Sequence, residues 1–294
     1  MRRCLLAVHA HPDDEASKGA STVARYAAEG VHCVLVCCTG GEEGSILNPA
    51  MERPDVVERL HEVRLDELAE AARVIGYHEV VMLGYRDSGM PDTDANARAD
   101  NFANAPIDEA VGRLVGILRR AQPEVVLTYG DDQRGYPHPD HLRVHDVSVL
   151  AFERAGDPDW YGDLGDPFQP SKLYYSVWSR ARMLAVHQAL IDKNGLSPFD
   201  EAWFERPDND GRITTRIDVS DFQWARSGAL KAHATQIDPE EAWWFGLDDD
   251  ELNAVWRWEE WVLARSLVGP IPAHRTETDL FDGVRSSVTS DRQE

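Results

Sequence analysis

Apolar and polar positions along the first half of the chain alternate in blocks. Continuous apolar runs predict buried strands at residues 4–10, 31–39, 80–83 and 125–129. The stretches between them have amphipathic spacing and predict helices over residues 15–29, 54–75, 107–121 and 141–154. Strands that are apolar on both faces and alternate with helices are typical of a parallel sheet covered on both sides. The predicted fold class is therefore α/β, with a Rossmann-like, mostly parallel sheet.

The character of the sequence changes after a segment rich in Gly, Pro and Asp at residues 156–170. Beyond it, strands are predicted at residues 173–177 and 213–219, and helices at residues 180–194, 222–235 and 249–267. We therefore predict a Rossmann-like domain over residues 1–165 and a smaller α+β region over 166–271 that completes a cleft. A loose polar tail is predicted over residues 272–294.

The charge balance restricts the possible partners. The chain contains 30 Lys and Arg residues and 52 Asp and Glu residues, which gives a formal net charge of −22. Such a field repels phosphate backbones and anionic lipid surfaces, which argues against nucleic-acid and membrane partners. No apolar run approaches the ~20 residues of a membrane helix, and the four cysteines lie in apolar runs typical of reduced core residues. We expect a cytoplasmic protein, and the oligomeric state stays open.

Two short polar segments each follow a predicted strand and precede a predicted helix. They contain, in chain order, His11, Asp13, Asp14, Tyr136, His138, Asp140 and His141. Either segment alone can be a solvated turn whose aspartate caps the helix. Because the carboxyl ends of parallel strands meet at one edge of a sheet, where ligands bind, the two segments together predict a metal site in the first domain.

Two imidazoles and one carboxylate, from His11, Asp14 and His141, would leave positions open for water and substrate. This arrangement is expected of catalytic Zn²⁺ and is equally compatible with Fe²⁺. Asp13 then remains beside the metal, suited to accept a proton. Spacing alone does not say which aspartate is the ligand and which is the base. A metal- or nucleotide-binding module without catalysis is the alternative, although the first turn lacks a glycine-rich phosphate-binding motif.

The two segments carry a resemblance to a known family. AHPDDE at residues 10–15 and GYPHPDH at residues 135–141 resemble the zinc-dependent de-N-acetylases related to GlcNAc-phosphatidylinositol deacetylase, the LmbE-like proteins. Four further motifs of this chain resemble one branch of that family, the mycothiol-conjugate amidases and deacetylases. They are TGGEEGSILNPAM at 39–51, YRDSGMP at 85–91, SKLYY at 171–175 and KAHATQID at 231–238.

The resemblance implies hydrolysis of the amide bond of a glucosamine-type substrate. The small-molecule substrate implied is a mycothiol S-conjugate, a thiol conjugate that would be split in detoxification into glucosaminyl-inositol and an N-acetylcysteine conjugate. The alternative within the family is deacetylation of an N-acetyl amino sugar, in mycothiol biosynthesis or natural-product maturation, at the same site.

The resemblance also implies a role for each residue of the two segments. His11, Asp14 and His141 correspond to the ligands of Zn²⁺, and Asp13 to the general base. The remaining three residues correspond to groups around the reacting amide: Tyr136 would polarise its oxygen, His138 would stabilise or protonate the tetrahedral intermediate, and Asp140 would orient a histidine.

Four further residues are candidates for substrate contact. The resemblance implies Arg64 and Asp87 as ligands of glucosamine hydroxyls, and a lysine at the position of Lys18 is typical of the conjugate amidases. Glu43 follows a strand that ends at the same edge of the sheet. The alternatives are a solvated helix residue for Arg64, a turn residue for Asp87 and an ordinary exposed lysine for Lys18.

The sequence departs from the family pattern at residues 130–134, GDDQR, directly before the second motif. Arg134 is expected to add charge and bulk near the mouth of the cleft, which leaves the identity of the substrate open. His233 is either a cleft residue or part of a structural hydrogen bond. The tryptophans of the C-terminal region are predicted to be core residues, with stacking on a sugar as the alternative: Trp243, Trp244, Trp256, Trp258 and Trp261.

Overall fold

The structure of the chain, a computed structural model, describes residues 2–271 and 275–284. Its strands are β1 Cys4–His9, β2 His32–Thr39, β3 Glu79–Tyr85, β4 Val125–Tyr129, β5 Lys172–Val177, β6 Thr215–Asp218 and β7 Trp258–Ser266. Its α-helices are α1 Asp14–Ser17, α2 Ala20–Ala28, α3 Pro54–Val57, α4 Leu60–Ile75, α5 Ile107–Ala121, α6 Pro139–Arg154, α7 Arg180–Asn194, α8 Glu201–Phe204, α9 Gln223–Ala232, α10 Ala242–Phe245 and α11 Asp249–Val255. Short 3₁₀ turns span Pro49–Met51 and Asp210–Arg212.

The strands form one sheet in the order β3-β2-β1-β4-β5-β7-β6. Strands β1 to β5 pair in parallel, and β7 is antiparallel to both β5 and β6. The predicted α/β class with a mostly parallel sheet is therefore confirmed. Since β5, β6 and β7 extend the same sheet, the segment near residue 165 does not separate two sheets. The strand order reverses between β1 and β4, and such a switch point is where open α/β sheets bind ligands.

Strand β1 shows why the sheet is covered on both faces. Its Leu6 and Val8 belong to a core shared with residues of α5 and α6. Its Leu5 and Ala7 point to the opposite face and belong to a core shared with residues of α2 and α9. Successive side chains of a strand alternate between faces, so a run without polar residues requires helices on both sides. No helix among the described residues has the length and apolarity needed to cross a bilayer.

Two predicted helices differ in the structure. The helix predicted over residues 15–29 is interrupted at Gly19, which has φ +104° and whose added Cβ would lie 2.7 Å from the ring of Trp261. The helix predicted over 54–75 is divided between Val57 and Leu60. In the first case only glycine adopts the left-handed backbone and leaves room for the ring at no cost.

The helix predicted over residues 249–267 is wrong in its second half. The helix ends at Val255, and Trp258–Ser266 is the strand β7 between β5 and β6. The capping box of Asp248 and Glu251 correctly marks the helix start. The strand depends on pairing with residues 40 to 94 positions away in sequence, and local periodicity carries no information on such pairing.

The predicted loose tail is wrong for residues 275–284, which pack on the sheet. Glu277 pairs with Thr215 in an isolated parallel bridge, and Leu280 and Phe281 are buried in the core. Buried Lys172 lies with its Nζ 2.6 Å from Glu277 Oε1, and the Tyr174 hydroxyl donates to Glu277 Oε2 at 2.6 Å. The rest of the predicted tail, residues 272–274 and 285–294, lies outside the described residues.

Lys172→Met is expected to lower the free energy of unfolding by about 3–5 kcal/mol, since it leaves the Glu277 carboxylate buried without its cation. Urea denaturation measures this. Arg73→Met, which removes an exposed partner of Glu70, is the matched control and should change the value by less than about 1 kcal/mol. Equal effects of the two substitutions would contradict the assigned role of the buried pair.

Candidate active site

The predicted metal ligands meet at the switch point of the sheet. His11 and Asp14 lie in the turn after β1 and at the start of α1, and His141 lies in the first turn of α6, after β4. All three side chains are buried. Asp14 Oδ2 lies 3.3 Å from His11 Nδ1 and 3.3 Å from His141 Nε2. The fold therefore brings together two imidazoles and a carboxylate that are up to 130 residues apart in sequence.

The donor set fits a transition-metal cation. One ligand atom from each of His11, Asp14 and His141 lies within 4.8 Å of the other two. Among the described residues, His11, His138 and Asp140 form a second such group. The first group is the better candidate because its residues line the cavity, whereas Asp140 lies behind it. Two histidines and one carboxylate are the donors of many catalytic zinc sites.

The charges around these ligands favour a cation. Burial by itself lowers the pKa of His11, but hydrogen bonds to Asp14, Asp140 and Asp87 outweigh it and raise that pKa well above its usual range. Burial lowers the pKa of His141 to about 4, which keeps its imidazole neutral and able to act as a ligand. An environment whose carboxylates stabilise a proton on His11 also stabilises a metal cation at the same place.

Asp140 connects His11 to the loop after β3. Its Oδ2 lies 3.1 Å from His11 Nε2 and accepts the Ser88 backbone N–H at 2.9 Å. The Ser88 hydroxyl donates to its Oδ1. Asp140 is fully buried, and its contact with Nε2 fixes the orientation of the His11 ring. Ser88 was missed in the sequence because its role depends on a contact across 52 residues.

Asp13 lies in a strained turn beside the predicted metal ligands. Its φ of +114° is unusual for a residue other than glycine. The Arg64 guanidinium donates to Asp13 Oδ2 at 3.0 Å and to the Pro12 carbonyl at 2.6 Å, which holds the turn in place. The Asp13 N–H donates to Glu15 Oε2 at 3.0 Å. Burial raises the pKa of Asp13 to about 6, and the Arg64 charge opposes that rise.

His233 supports this turn from behind. Its Nε2 lies 2.5 Å from Glu15 Oε1, and both side chains are completely buried. His233 does not line the cavity. Of the two interpretations of His233, the structure therefore favours the structural hydrogen bond.

A cavity of about 880 Å³ opens above the predicted metal ligands. Tyr136 and His138 line it, with their ring centroids 5.3 and 5.2 Å from that of His141. Tyr136 is half exposed at 52%, whereas His138 is buried. Lys18 also lines the cavity, and its ammonium donates to Asp14 Oδ1 at 2.5 Å. The cavity surface near the buried Asp14 carboxylate therefore carries the phenol of Tyr136, the imidazole of His138 and the ammonium of Lys18.

The other substrate-contact candidates line the cavity on the side of β2 and β3. Glu43 follows β2 and pairs with Arg86 at 2.6 Å. Asp87 follows β3, accepts the Gly89 N–H at 2.9 Å and lies 3.5 Å from His11 Nε2. Both carboxylates and Arg64 therefore have protein partners as well as access to the cavity.

The opposite side of the cavity is formed by an aromatic wall, comprising Trp178, Trp203, Phe204, Trp243 and Trp244. Ring centroids in the wall are 5.7 Å apart for Trp203 and Trp243 and 6.1 Å for Trp243 and Trp244. The expectation that the C-terminal tryptophans are core holds for Trp261, which is fully buried, but Trp243 and Trp244 line the cavity. Trp178 was missed, although it directly follows β5 at the edge where ligands bind.

Arg134 does not line the cavity. Its side chain is 77% exposed and pairs with Asp132 at 2.7 Å. Asp131, Asp132 and Gln133 of the same segment do line the cavity. Arg134 therefore lies beside the mouth of the cavity without lining it, and its polar neighbours form part of that mouth.

A sequence model of the PIG-L family, described as GlcNAc-PI de-N-acetylase, matches residues 6–152. The mycothiol S-conjugate amidase of Streptomyces coelicolor is 43% identical to the chain, over 96% of this chain and 98% of that protein. The chain belongs to the PIG-L family. This confirms the family predicted from the two motifs. Membership places the chain among amidases and deacetylases, which hydrolyse C–N bonds.

Two further relatives show the range of the family. The 1D-myo-inositol 2-acetamido-2-deoxy-alpha-D-glucopyranoside deacetylase of Streptomyces avermitilis is 39% identical, over 96% of this chain and 97% of that protein. The structure of N,N'-diacetylchitobiose deacetylase from Pyrococcus horikoshii is similar with a TM-score of 0.62, covering 92% of this chain and 87% of that one. At 19% identity the structural likeness shows the fold alone.

Proposed function

We propose that this PIG-L protein is a metal-dependent amidase whose small-molecule substrate is a mycothiol S-conjugate. It would release glucosaminyl-inositol and an N-acetylcysteine S-conjugate. The similarity to the Streptomyces coelicolor amidase over nearly the whole chain supports this class of substrate. The observation that carries the proposal, in preference to a deacetylase, is the aromatic wall.

The strand order divides the cavity into two sides. The metal ligands follow β1 and β4, in the middle of the parallel strands. Glu43 and Asp87 follow β2 and β3 on one side, and Trp178 follows β5 on the other. An amide positioned at the metal ligands would direct its polyhydroxyl amine part toward the carboxylates and its acyl part toward the aromatic wall. An acetyl group needs no such wall, whereas the substituent on a conjugated thiol does.

We propose Zn²⁺, with Fe²⁺ as the alternative, as the cation held by His11, Asp14 and His141. When bound, such a cation polarises a carbonyl and lowers the pKa of water. Asp13 is the proposed general base, and Arg64 holds its carboxylate 3.0 Å away in the orientation for proton transfer.

The remaining steps are assigned to side chains at the cavity surface. We propose that the Tyr136 hydroxyl donates a hydrogen bond to the amide oxygen as negative charge develops there. His138 donates a proton to the departing amine. Arg64, Asp87 and Glu43 bind sugar hydroxyls, and Lys18, beside Asp14, contacts the part of the substrate that lies over β4.

The proposal is tested by comparing kcat/KM for an S-benzyl conjugate of mycothiol with that for N-acetylglucosaminyl-inositol. The conjugate is expected to be the better substrate. Trp203→Ala should reduce kcat/KM for the S-benzyl conjugate about 10- to 100-fold, since burial of an aromatic side chain contributes about 1.5–3 kcal/mol. The value for the acetyl substrate should change less than about threefold.

The matched control is Trp224→Ala, which replaces an exposed tryptophan outside the cavity. This substitution should leave kcat/KM unchanged for both substrates. A higher kcat/KM for the acetyl substrate, together with equal losses on both substrates in Trp203→Ala, would instead establish the deacetylase alternative.

A further inference from the structure

A second, smaller cavity lies beside the aromatic wall. Its volume is about 40 Å³, and Trp178, Trp243 and Trp244 line it as well as the large cavity. The other side is formed by residues of α7, α9 and α11, including Arg182 and Arg226. We call it the arginine cavity. None of its residues is a candidate metal ligand or catalytic residue.

The two arginines bring positive charge into this cavity without a counterion. Arg226 is 9% exposed, and its Nε is buried without a hydrogen-bond partner. Among the described residues, neither guanidinium has a carboxylate within the 4.0 Å of an ion pair. Burial, together with the charge of Arg182, lowers the pKa of Arg226 to about 10. An unpaired buried charge is costly, and two neighbouring like charges cost more.

The nearest carboxylates already have other partners. Glu259 accepts the backbone N–H of Thr22 at 2.8 Å. Glu260 pairs with Arg216 at 3.0 Å, and Asp249 accepts the Ser227 hydroxyl at 3.0 Å. These groups reduce the positive potential from a distance but leave the guanidinium N–H groups free.

Aromatic rings compensate the charges in part. The Cζ atom of Arg182 lies 5.9 Å from the centroid of Trp178, and that of Arg226 lies 5.6 Å from the centroid of Trp244. Such contacts stabilise a cation but do not satisfy its N–H donors. The Nε–H of Arg226 therefore lacks an acceptor among the described residues, and a second guanidinium, that of Arg182, lines the same cavity.

We propose that the arginine cavity binds a small monovalent inorganic anion of the size of chloride, held between Arg182 and Arg226. A cavity needs a volume of roughly 10–15 Å³ to hold one water molecule. The arginine cavity, at about 40 Å³, therefore admits a halide but no sugar or thiol conjugate. Because the aromatic wall borders both cavities, the anion stabilises the wall from its far side. This site is independent of the proposed substrate.

The proposal is tested by thermal unfolding of the full-length protein at constant ionic strength, with sodium chloride replacing sodium gluconate, an anion too large for the cavity. Chloride is expected to raise the Tm by about 2–5 °C at saturating concentration, because it binds only the folded state. Arg226→Met and Arg182→Met should each abolish the rise. They should also be no less stable than the wild type in gluconate, since each removes one of two repelling charges.

Arg257→Met, which replaces an exposed arginine paired with Asp218, is the matched control and should keep the full response. Crystals soaked in sodium bromide provide a readout that does not depend on the variants' folding: an anomalous peak is expected between the two guanidinium groups. A chloride response that persists in both cavity variants, or bromide-soaked crystals without that peak, would overturn the proposal.

Discussion

Asp13→Asn is expected to lower kcat/KM by about 10²–10⁴-fold while the bound metal content stays the same. The amide keeps the size of the side chain and tolerates the left-handed backbone at φ +114°, but it does not accept a proton. The loss should therefore fall on kcat, with little change in KM. Steady-state kinetics and metal analysis of the same preparation measure both quantities.

Asp92→Asn is the matched control for this substitution. Asp92 is the other aspartate with a positive φ in the described residues, at +64°, but it is exposed and does not line the cavity. Its replacement should leave the rate unchanged. A fully active Asp13→Asn enzyme would exclude Asp13 as the base, and an inactive enzyme without metal would make it a ligand instead.

His141→Ala is expected to remove the bound metal and to reduce activity by roughly 10³-fold or more. A bound cation supplies several kcal/mol of charge stabilisation, and each 1.4 kcal/mol corresponds to a factor of ten. Wild-type protein treated with a chelator should lose the same activity and regain it with Zn²⁺ or Fe²⁺, whereas the variant should not respond.

His145→Ala is the control on the same helix, one turn beyond His141. His145 contacts the Tyr129 carbonyl at 3.1 Å and does not line the cavity. It should keep its metal and its activity. If His141→Ala retained a full equivalent of metal, the second donor group, with His138 and Asp140, would become the candidate site.

The aromatic wall distinguishes this chain's cavity from what the catalytic motifs alone would require. The motifs contain the proposed metal ligands and the proposed base, which would serve an acetyl amide and a larger amide equally well. The wall adds an apolar surface over β5 in a cavity of about 880 Å³. Substrate choice within the family can therefore depend on residues that lie far from the motifs in sequence.

Elements whose signals are local could be predicted from the sequence. Helices α5 and α7 begin and end where they are predicted, because α5 has amphipathic spacing and α7 lies between the N-cap Ser179 and Gly195. The parallel strands could also be predicted, because each one is a continuous apolar run within its own segment. The polar turns after β1 and β4 predicted that their side chains meet at one place, since all parallel strands end at one edge of the sheet.

Features that depend on partners distant in sequence could not be predicted and are seen only in the folded chain. The strand β7 exists because β5 and β6 supply its hydrogen bonds, and the segment around Glu277 is ordered because Lys172 lies 105 residues earlier beneath it. The aromatic wall and the arginine cavity likewise combine residues of helices and loops that follow different strands. Local propensity contains no information on such contacts, because their free energy arises only when the chain has already brought the partners together.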